Sequence, residues 1–401
     1  MASKEIIITA ESRYDRQQLI PWWSQETVRN ARVLVVGAGA LGNEILKLLA
    51  LTGIGNILIY DMDRIEHSNL SRTVLFRTGD SGRRKATVAA ERLGELNSDV
   101  EAVGRAENII HHAGLGIFLW AHVVICGLDN RLARLFVNES CARTKRVWVD
   151  GAIEGLSGIV RVFNPSQTSC YECTMNATDH KIVQERRSCA LLARDVVSQG
   201  HVPTTAIAAS IIAALEVQQA VKFLHGQPTL MGEGVLLNGL WDDFERIRYP
   251  RRKACQSHGA LEKIVPIGNG VANVQLGELL DRAEASFGEG VTLDLSRDVI
   301  TSLFCPKCQQ KTEPCGAVVG AVREADALCP DCNTHRLVNF TGTISRDNDL
   351  DLSLTAAKFG IPPFDILTVR KNLEIHEAWL FDADAEMVLG PLADSFRFTQ
   401  V

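Results

Sequence analysis

The side chains best suited to chemistry fall in a few short groups. Gly37, Gly39 and Gly42 form a GxGxxG turn, a spacing that lets backbone N–H groups approach phosphate at a helix N-terminus. Asp61 follows Gly42 by 19 residues (61 minus 42), at the end of the next apolar run, where a carboxylate can hold a ribose. By themselves these residues fit an NAD-dependent oxidoreductase as well as any other nucleotide user. A polar cluster with two cations separates the two: Asn69, Arg72 and Lys85 come after Asp61, and hydride transfer has no evident use for them. A triphosphate does, because charge develops on the α-phosphate and on departing pyrophosphate when a carboxylate attacks, and fixed Arg and Lys stabilise it. Asp129 lies in the turn after residues 123–126, a carboxyl strand end that suits Mg²⁺ held together with phosphate oxygens. The plain alternative makes Arg72 and Lys85 surface charges and Asp129 the cap of a helix beginning near Asn130.

The eleven cysteines are an odd number, and the N-terminal stretch lacks the pattern of a secretory signal, so a disulfide framework is not expected. Cys170/Cys173, Cys305/Cys308 and Cys329/Cys332 are CxxC pairs, and Cys255 stands three residues before His258. This is metal-ligand spacing in a reducing compartment. Cys170, Cys173, Cys255 and His258 offer a tetrahedral set for structural Zn²⁺; 82 positions (255 minus 173) separate its halves, so folding must join them. Their alternative is a pair of buried thiols. The two CPxC knuckles at Cys305, Cys308, Cys329 and Cys332 resemble a zinc ribbon, whose closed site would stabilise rather than catalyse. Cys315 reads as a bystander. Cys189 lies near Arg186, Arg187 and Arg194; cationic neighbours favour the thiolate and hence a nucleophile, against the alternative of a small buried hydrophobe, as for Cys126 and Cys141.

These groups need elements to position them. Residues 32–36 read as a buried strand, 43–51 as a helix, 57–60 as a second strand, and 123–126 and 147–149 as further strands, with helices around 83–96 and 131–143. Such alternation predicts an α/β fold with a mostly parallel sheet covered on both faces. Residues 164–204 predict a long surface loop, and 205–224 a buried helix. After residue 258 the turns and CxxC pairs predict a smaller α+β domain, with the boundary near 260. The 401 residues carry a net charge of −6 and 46% hydrophobic residues; this disfavours nucleic acid as the main partner. No run of about 18 uncharged apolar residues indicates a membrane span, and a cytoplasmic location is expected.

Four segments, RYDRQ from Arg13, GAGALGNE from Gly37, DMDRIEHSNLSR from Asp61 and GLDN from Gly127, resemble the ubiquitin-activating, MoeB and ThiF superfamily over roughly residues 13–260. The resemblance implies a Rossmann-like adenylation fold over 1–260 with a crossover loop at about 164–204, followed by a zinc-ribbon-containing domain over 261–401. It implies ATP and Mg²⁺, with Asp61 on the ribose, Asn69, Arg72 and Lys85 on the phosphates and Asp129 on Mg²⁺. Arg16 resembles the arginine that reaches into a partner subunit's site, which implies a homodimer. Cys189 matches the position of a cysteine that accepts the activated carboxyl group as a thioester. The implied partners are a ubiquitin-like or sulfur-carrier protein ending in glycine and a conjugating enzyme. The build is most similar to activating enzymes of bacterial antiphage conjugation systems. A sulfur-carrier adenylyltransferase for molybdopterin or thiamine synthesis, an NAD-dependent oxidoreductase and a silent scaffold subunit are the alternatives.

Overall fold

A computed structural model describes residues 12–181, 203–312, 316–323 and 325–396. Short β-branched and aliphatic runs set the first sheet: β1 (Arg32–Val36), β2 (Asn56–Tyr60), β3 (Glu101–Arg105), β4 (Val123–Cys126) and β5 (Val147–Glu154). They pair in the order β3-β2-β1-β4-β5, all parallel. β6 (Ser157–Phe163), β7 (Glu233–Asn238) and β8 (Asp243–Arg248) then extend the sheet antiparallel to eight strands.

Alternation along each strand divides two cores. Val33, Val35, Ile57, Ile59, Val123 and Ile125 face helices Ala40–Thr52, Lys85–Leu96 and Ala206–Leu224. Leu34, Val36, Leu58, Val124 and Trp148 face the opposite way, toward Phe118, Trp120 and Leu135. Ala206–Leu224 has the length and composition of a membrane span, yet it packs against the sheet and against Ala40–Thr52. Glu216 and Lys222 within it explain why the sequence shows no uncharged run.

The C-terminal domain is built on a seven-stranded sheet around the long strand Val291–Phe304. Its remaining strands lie between Ile264 and Leu380. The two sheets share apolar surface: Phe364, Ile366, Leu380, Leu389 and Leu392 join the same core as Leu34, Leu58 and Trp148. Gly114 and Gly116 permit this contact, since a Cβ on either would meet the Phe364 carbonyl oxygen at 2.5 Å. Arg297 ties it further, donating to the carbonyl oxygens of Ile110 (Nη1) and Ala113 (Nη2, 2.6 Å).

One expectation changes. Within residues 164–181 the stretch around the cysteine knuckle is not exposed: Ser169, Cys170, Tyr171, Cys173 and Met175 are buried, and the knuckle packs against helix Arg131–Arg143. The remainder of that segment, with Arg186, Arg187, Cys189 and Arg194, lies outside the described residues, as does Cys315.

Candidate active site and metal centres

The glycine turn is shaped by close backbone approach. Gly37 has φ +96°, and a Cβ there would meet the Gly127 carbonyl oxygen at 2.5 Å. A Cβ on Gly42 would lie 1.9 Å from the Gly37 carbonyl oxygen. Both positions therefore require glycine for packing. Gly39 differs: nothing lies within 4 Å of its would-be Cβ, and it precedes the first turn of helix Ala40–Thr52. The free N–H groups of that turn and the open space above them form a cradle for an anion.

Asp61 fixes the turn from the β2 end. Its Oδ2 accepts from the Ala38 amide at 2.7 Å and its Oδ1 from the Asp63 amide at 2.8 Å. Burial pushes its carboxyl above the ordinary aspartate range, while Lys85 and the Ala38 amide oppose the shift. Asn43, which the motif spacing does not single out, is the second brace. Fully buried, it donates Nδ2 to the Ala38 carbonyl at 2.7 Å and accepts the Leu75 amide at 2.9 Å. The signal for it is an amide set within the otherwise apolar start of a helix.

The cations lie on the segment after β2. Asn69 is buried, its Oδ1 capping the Glu66 amide at 3.0 Å. Arg72 is half-exposed, with Nη1 on the Ser68 carbonyl at 2.9 Å. Lys85 is buried, and its ammonium pairs with exposed Asp63 at 2.9 Å. An exposed carboxylate on a buried ammonium is a counter-ion that phosphate can displace. At the β4 end Asn130, not Asp129, caps helix Arg131–Arg143, accepting the Ala133 amide at 2.8 Å. The capping alternative for Asp129 is thus taken by its neighbour, and the Asp129 carboxylate stays exposed. Arg16 lies elsewhere, exposed in the short helix Asp15–Gln18 beside the far end of helix Ala40–Thr52, where Gln17 donates to the Leu51 carbonyl at 3.3 Å. Along that helix the separation from the glycine turn is about 20 Å.

Beneath this edge sits a buried polar network that sequence spacing does not reveal. Asp150 accepts from Arg134 Nε at 2.8 Å and from Arg161 Nε at 3.0 Å. Arg134 also donates to the carbonyls of Leu128 at 2.5 Å and Gly151 at 2.9 Å. Glu216 is fully buried, and neither carboxyl oxygen has a partner. A Cβ on Gly151 would meet its Oε2 at 2.4 Å. Burial and then the Asp150 charge drive the Glu216 carboxyl well upward.

Folding brings both four-ligand sets together. The ligand atoms of Cys170, Cys173, Cys255 and His258 lie within 4.8 Å of one another, as do those of Cys305, Cys308, Cys329 and Cys332. Cys170 Sγ is 3.7 Å from Cys173 Sγ and 3.5 Å from Cys255 Sγ, and Cys173 Sγ is 3.3 Å from His258 Nε2. In the ribbon, Cys305 and Cys332 are 3.5 Å apart and Cys308 and Cys329 3.9 Å. Tetrahedral zinc at ~2.3 Å from sulfur requires S···S edges of about 3.8 Å. Second contacts suit thiolates: Arg252 donates its amide to Cys173 Sγ at 3.4 Å. The Asn138 Nδ2 is buried without a hydrogen-bond partner near Cys170, whose thiol is driven upward first by the hydrogen bond to Cys173 and then by burial, the Asn138 contact opposing the shift. Both sets can hold Zn²⁺.

An apolar patch lies at the same carboxyl edge, beyond β5. Leu240 is 75% exposed, Trp241 79%, Phe244 56% and Ile207 64%. These positions adjoin, since Thr205 donates to the Gly155 carbonyl at 3.0 Å and Gly239 lies against the Leu156 carbonyl.

Comparison with known proteins places this arrangement. The model described as the ThiF family matches residues 14–257. The NEDD8-activating enzyme E1 catalytic subunit of Arabidopsis thaliana is 41% identical over 157 residues, 36% of this chain and 34% of that protein. The ubiquitin-like modifier-activating enzyme 5 of Dictyostelium discoideum is 29% identical over 230 residues, 53% and 58% of the two chains. The chain thus spans between about a third and three fifths of the length of these relatives. A solved structure of E. coli MccB with AMPCPP and MccA superposes with a TM-score of 0.52 at 25% identity, covering 63% of this chain and 75% of that one. MccB with ATP superposes with a TM-score of 0.51.

Proposed function

Because the chain belongs to the ThiF family, we propose that it adenylates the C-terminal carboxylate of a ubiquitin-like protein at the expense of ATP. The observation that carries this reading is the cradle at Gly39, open above a helix N-terminus and braced on one side by Asp61. Relatives named as NEDD8-activating and ubiquitin-like modifier-activating enzymes support the reaction class. The MccB structure with ATP supports the nucleotide.

In this reading Asp61 receives the ribose hydroxyls and the glycine-turn amides the phosphates. Asn69, Arg72 and Lys85 hold the α-phosphate and pyrophosphate. Asp129 would hold Mg²⁺, which would supply neutralisation of the phosphate charge as pyrophosphate departs. The glycine carboxylate attacks the α-phosphorus, the bond to pyrophosphate breaks, and an acyl adenylate remains. Cys189 then takes the acyl group as a thioester and passes it to a conjugating enzyme, AMP leaving. Arg16, far from its own glycine turn, reaches a second copy of the chain, making a homodimer. The Trp241 patch receives the apolar face of the ubiquitin-like partner, because a large exposed apolar patch beside a site marks a protein contact. The domain boundary falls near 260, the later domain docks the conjugating partner, and a bacterial antiphage system is the setting.

ATP:pyrophosphate exchange with candidate carriers ending in glycine, followed by a non-reducing gel, tests the scheme. Carrier-dependent exchange and a thiol-sensitive adduct absent from Cys189→Ala are expected. Exchange without an adduct would favour sulfur-carrier adenylation instead, and NAD binding in preference to ATP would overturn both.

A further inference from the structure

Resting on the assignment of Mg²⁺ to Asp129, we propose that Asp150 is a positioning residue for Asp129, and that Tyr171 couples the Cys170/Cys173/Cys255/His258 knuckle to the same loop.

The chain of contacts is continuous and mostly dry. Asp129 sits one residue beyond Leu128, whose carbonyl oxygen is held by Arg134. Arg134 is aimed by Asp150, a carboxylate with no exposed surface. The other Asp150 oxygen holds Arg161, and the Arg161 guanidinium lies over the Tyr171 ring at 5.2 Å from its centroid. Tyr171 stands between two knuckle ligands, Cys170 and Cys173, and donates its amide to Asn138 Oδ1 at 2.9 Å. Asn138 belongs to helix Arg131–Arg143, whose first turn follows the Asp129 loop. The knuckle therefore grips one helix at its middle and, through two arginines and an aspartate, the loop at its start.

An isolated structural knuckle would need no such connection. A single Arg–Asp pair would neutralise Asp150; two arginines on it leave a net positive, buried group, in which Arg134 Nη2 is spent on the Leu128 and Gly151 carbonyls. Leu128 directly precedes Asp129 in the chain, and Gly151 directly follows Asp150 on β5. Residues that orient a ligand without touching the metal commonly set metal affinity by ~10- to 100-fold.

The test is equilibrium binding of a fluorescent ATP analogue to the full-length chain, titrated with Mg²⁺ and repeated in EDTA. Asp150→Asn should raise the half-saturating Mg²⁺ about tenfold while leaving metal-free nucleotide affinity near wild type. A variant damaged only in folding would lose both together. Since Asp150→Asn removes a buried charge and can fail to fold, Tyr171→Leu and Tyr171→Phe form an independent pair. The leucine should shift the Mg²⁺ titration and the phenylalanine, which keeps the ring under Arg161, should not. Unchanged Mg²⁺ titrations in a folded Asp150→Asn, or in Tyr171→Leu, would overturn the inference. If the wild-type chain itself binds no ATP, the functional reading fails rather than the coupling.

Discussion

Glu216 is a carboxylic acid kept from water with no partner on either oxygen, and this fixes its sign in pH-dependent stability. Below its ordinary value of 4.5 it is protonated in folded and unfolded chains alike. As pH rises, the unfolded chain ionises first, so stability falls by up to ~1.4 kcal/mol per pH unit until the raised folded value is reached. Glu216→Gln should flatten that slope, measured as the change in denaturant midpoint between about pH 5 and pH 8. Asp61 is raised in the same direction, mainly by burial, so nucleotide affinity that needs its carboxylate should weaken on acidification sooner than an exposed aspartate would dictate. Asp61→Asn should remove this acid limb from a pH series of ATP binding. The spacing of the glycine turn and of each cysteine pair is local and can be read from the sequence. Asp150, Arg161 and Glu216 cannot, because single polar residues in apolar runs announce nothing until distant strands and a helix bring them together.

The glycine turn offers a sharper contrast at the level of an element. Gly37→Ala must accept a positive φ and a clash with the Gly127 carbonyl, a cost of at least about 2 kcal/mol. Gly39→Ala meets nothing; it should melt at nearly the wild-type temperature yet bind ATP more weakly, because its methyl enters the cradle. Parallel thermal melts with and without nucleotide distinguish the two. Strands at 32–36 and 123–126 and the helix at 131–143 could be read from periodicity, since each is a short run with one period. The antiparallel extension β6–β8 and the order of the second sheet could not, because they depend on pairings between residues far apart in sequence. The same holds for the knuckle, whose burial against helix Arg131–Arg143 overrode its polar composition. On the hairpin joining β7 to β8, Trp241→Asp should raise the carrier concentration needed for half-maximal exchange while leaving ATP affinity unchanged; equal effects on both would place the patch outside carrier recognition.

At the scale of the whole molecule, metal content separates the two cysteine sets. Elemental analysis should find two zinc ions per chain, one for each set of ligands. Cys308→Ser should remove one and loosen the ribbon without altering the Mg²⁺ dependence of nucleotide binding. A shift in that dependence would tie the ribbon to the active edge as well.

The shared apolar seam between the two sheets bears on how such a chain can be cut and joined. Phe364, Leu389 and Leu392 are buried against the same core as Leu34 and Trp148, so a fragment ending near residue 260 would carry a raw, water-exposed face. Grafting the ribbon-bearing half onto another member of the family would demand that the recipient's sheet be recut to match Phe364. The two halves are therefore held as one body by a common core, unlike domains strung on a linker.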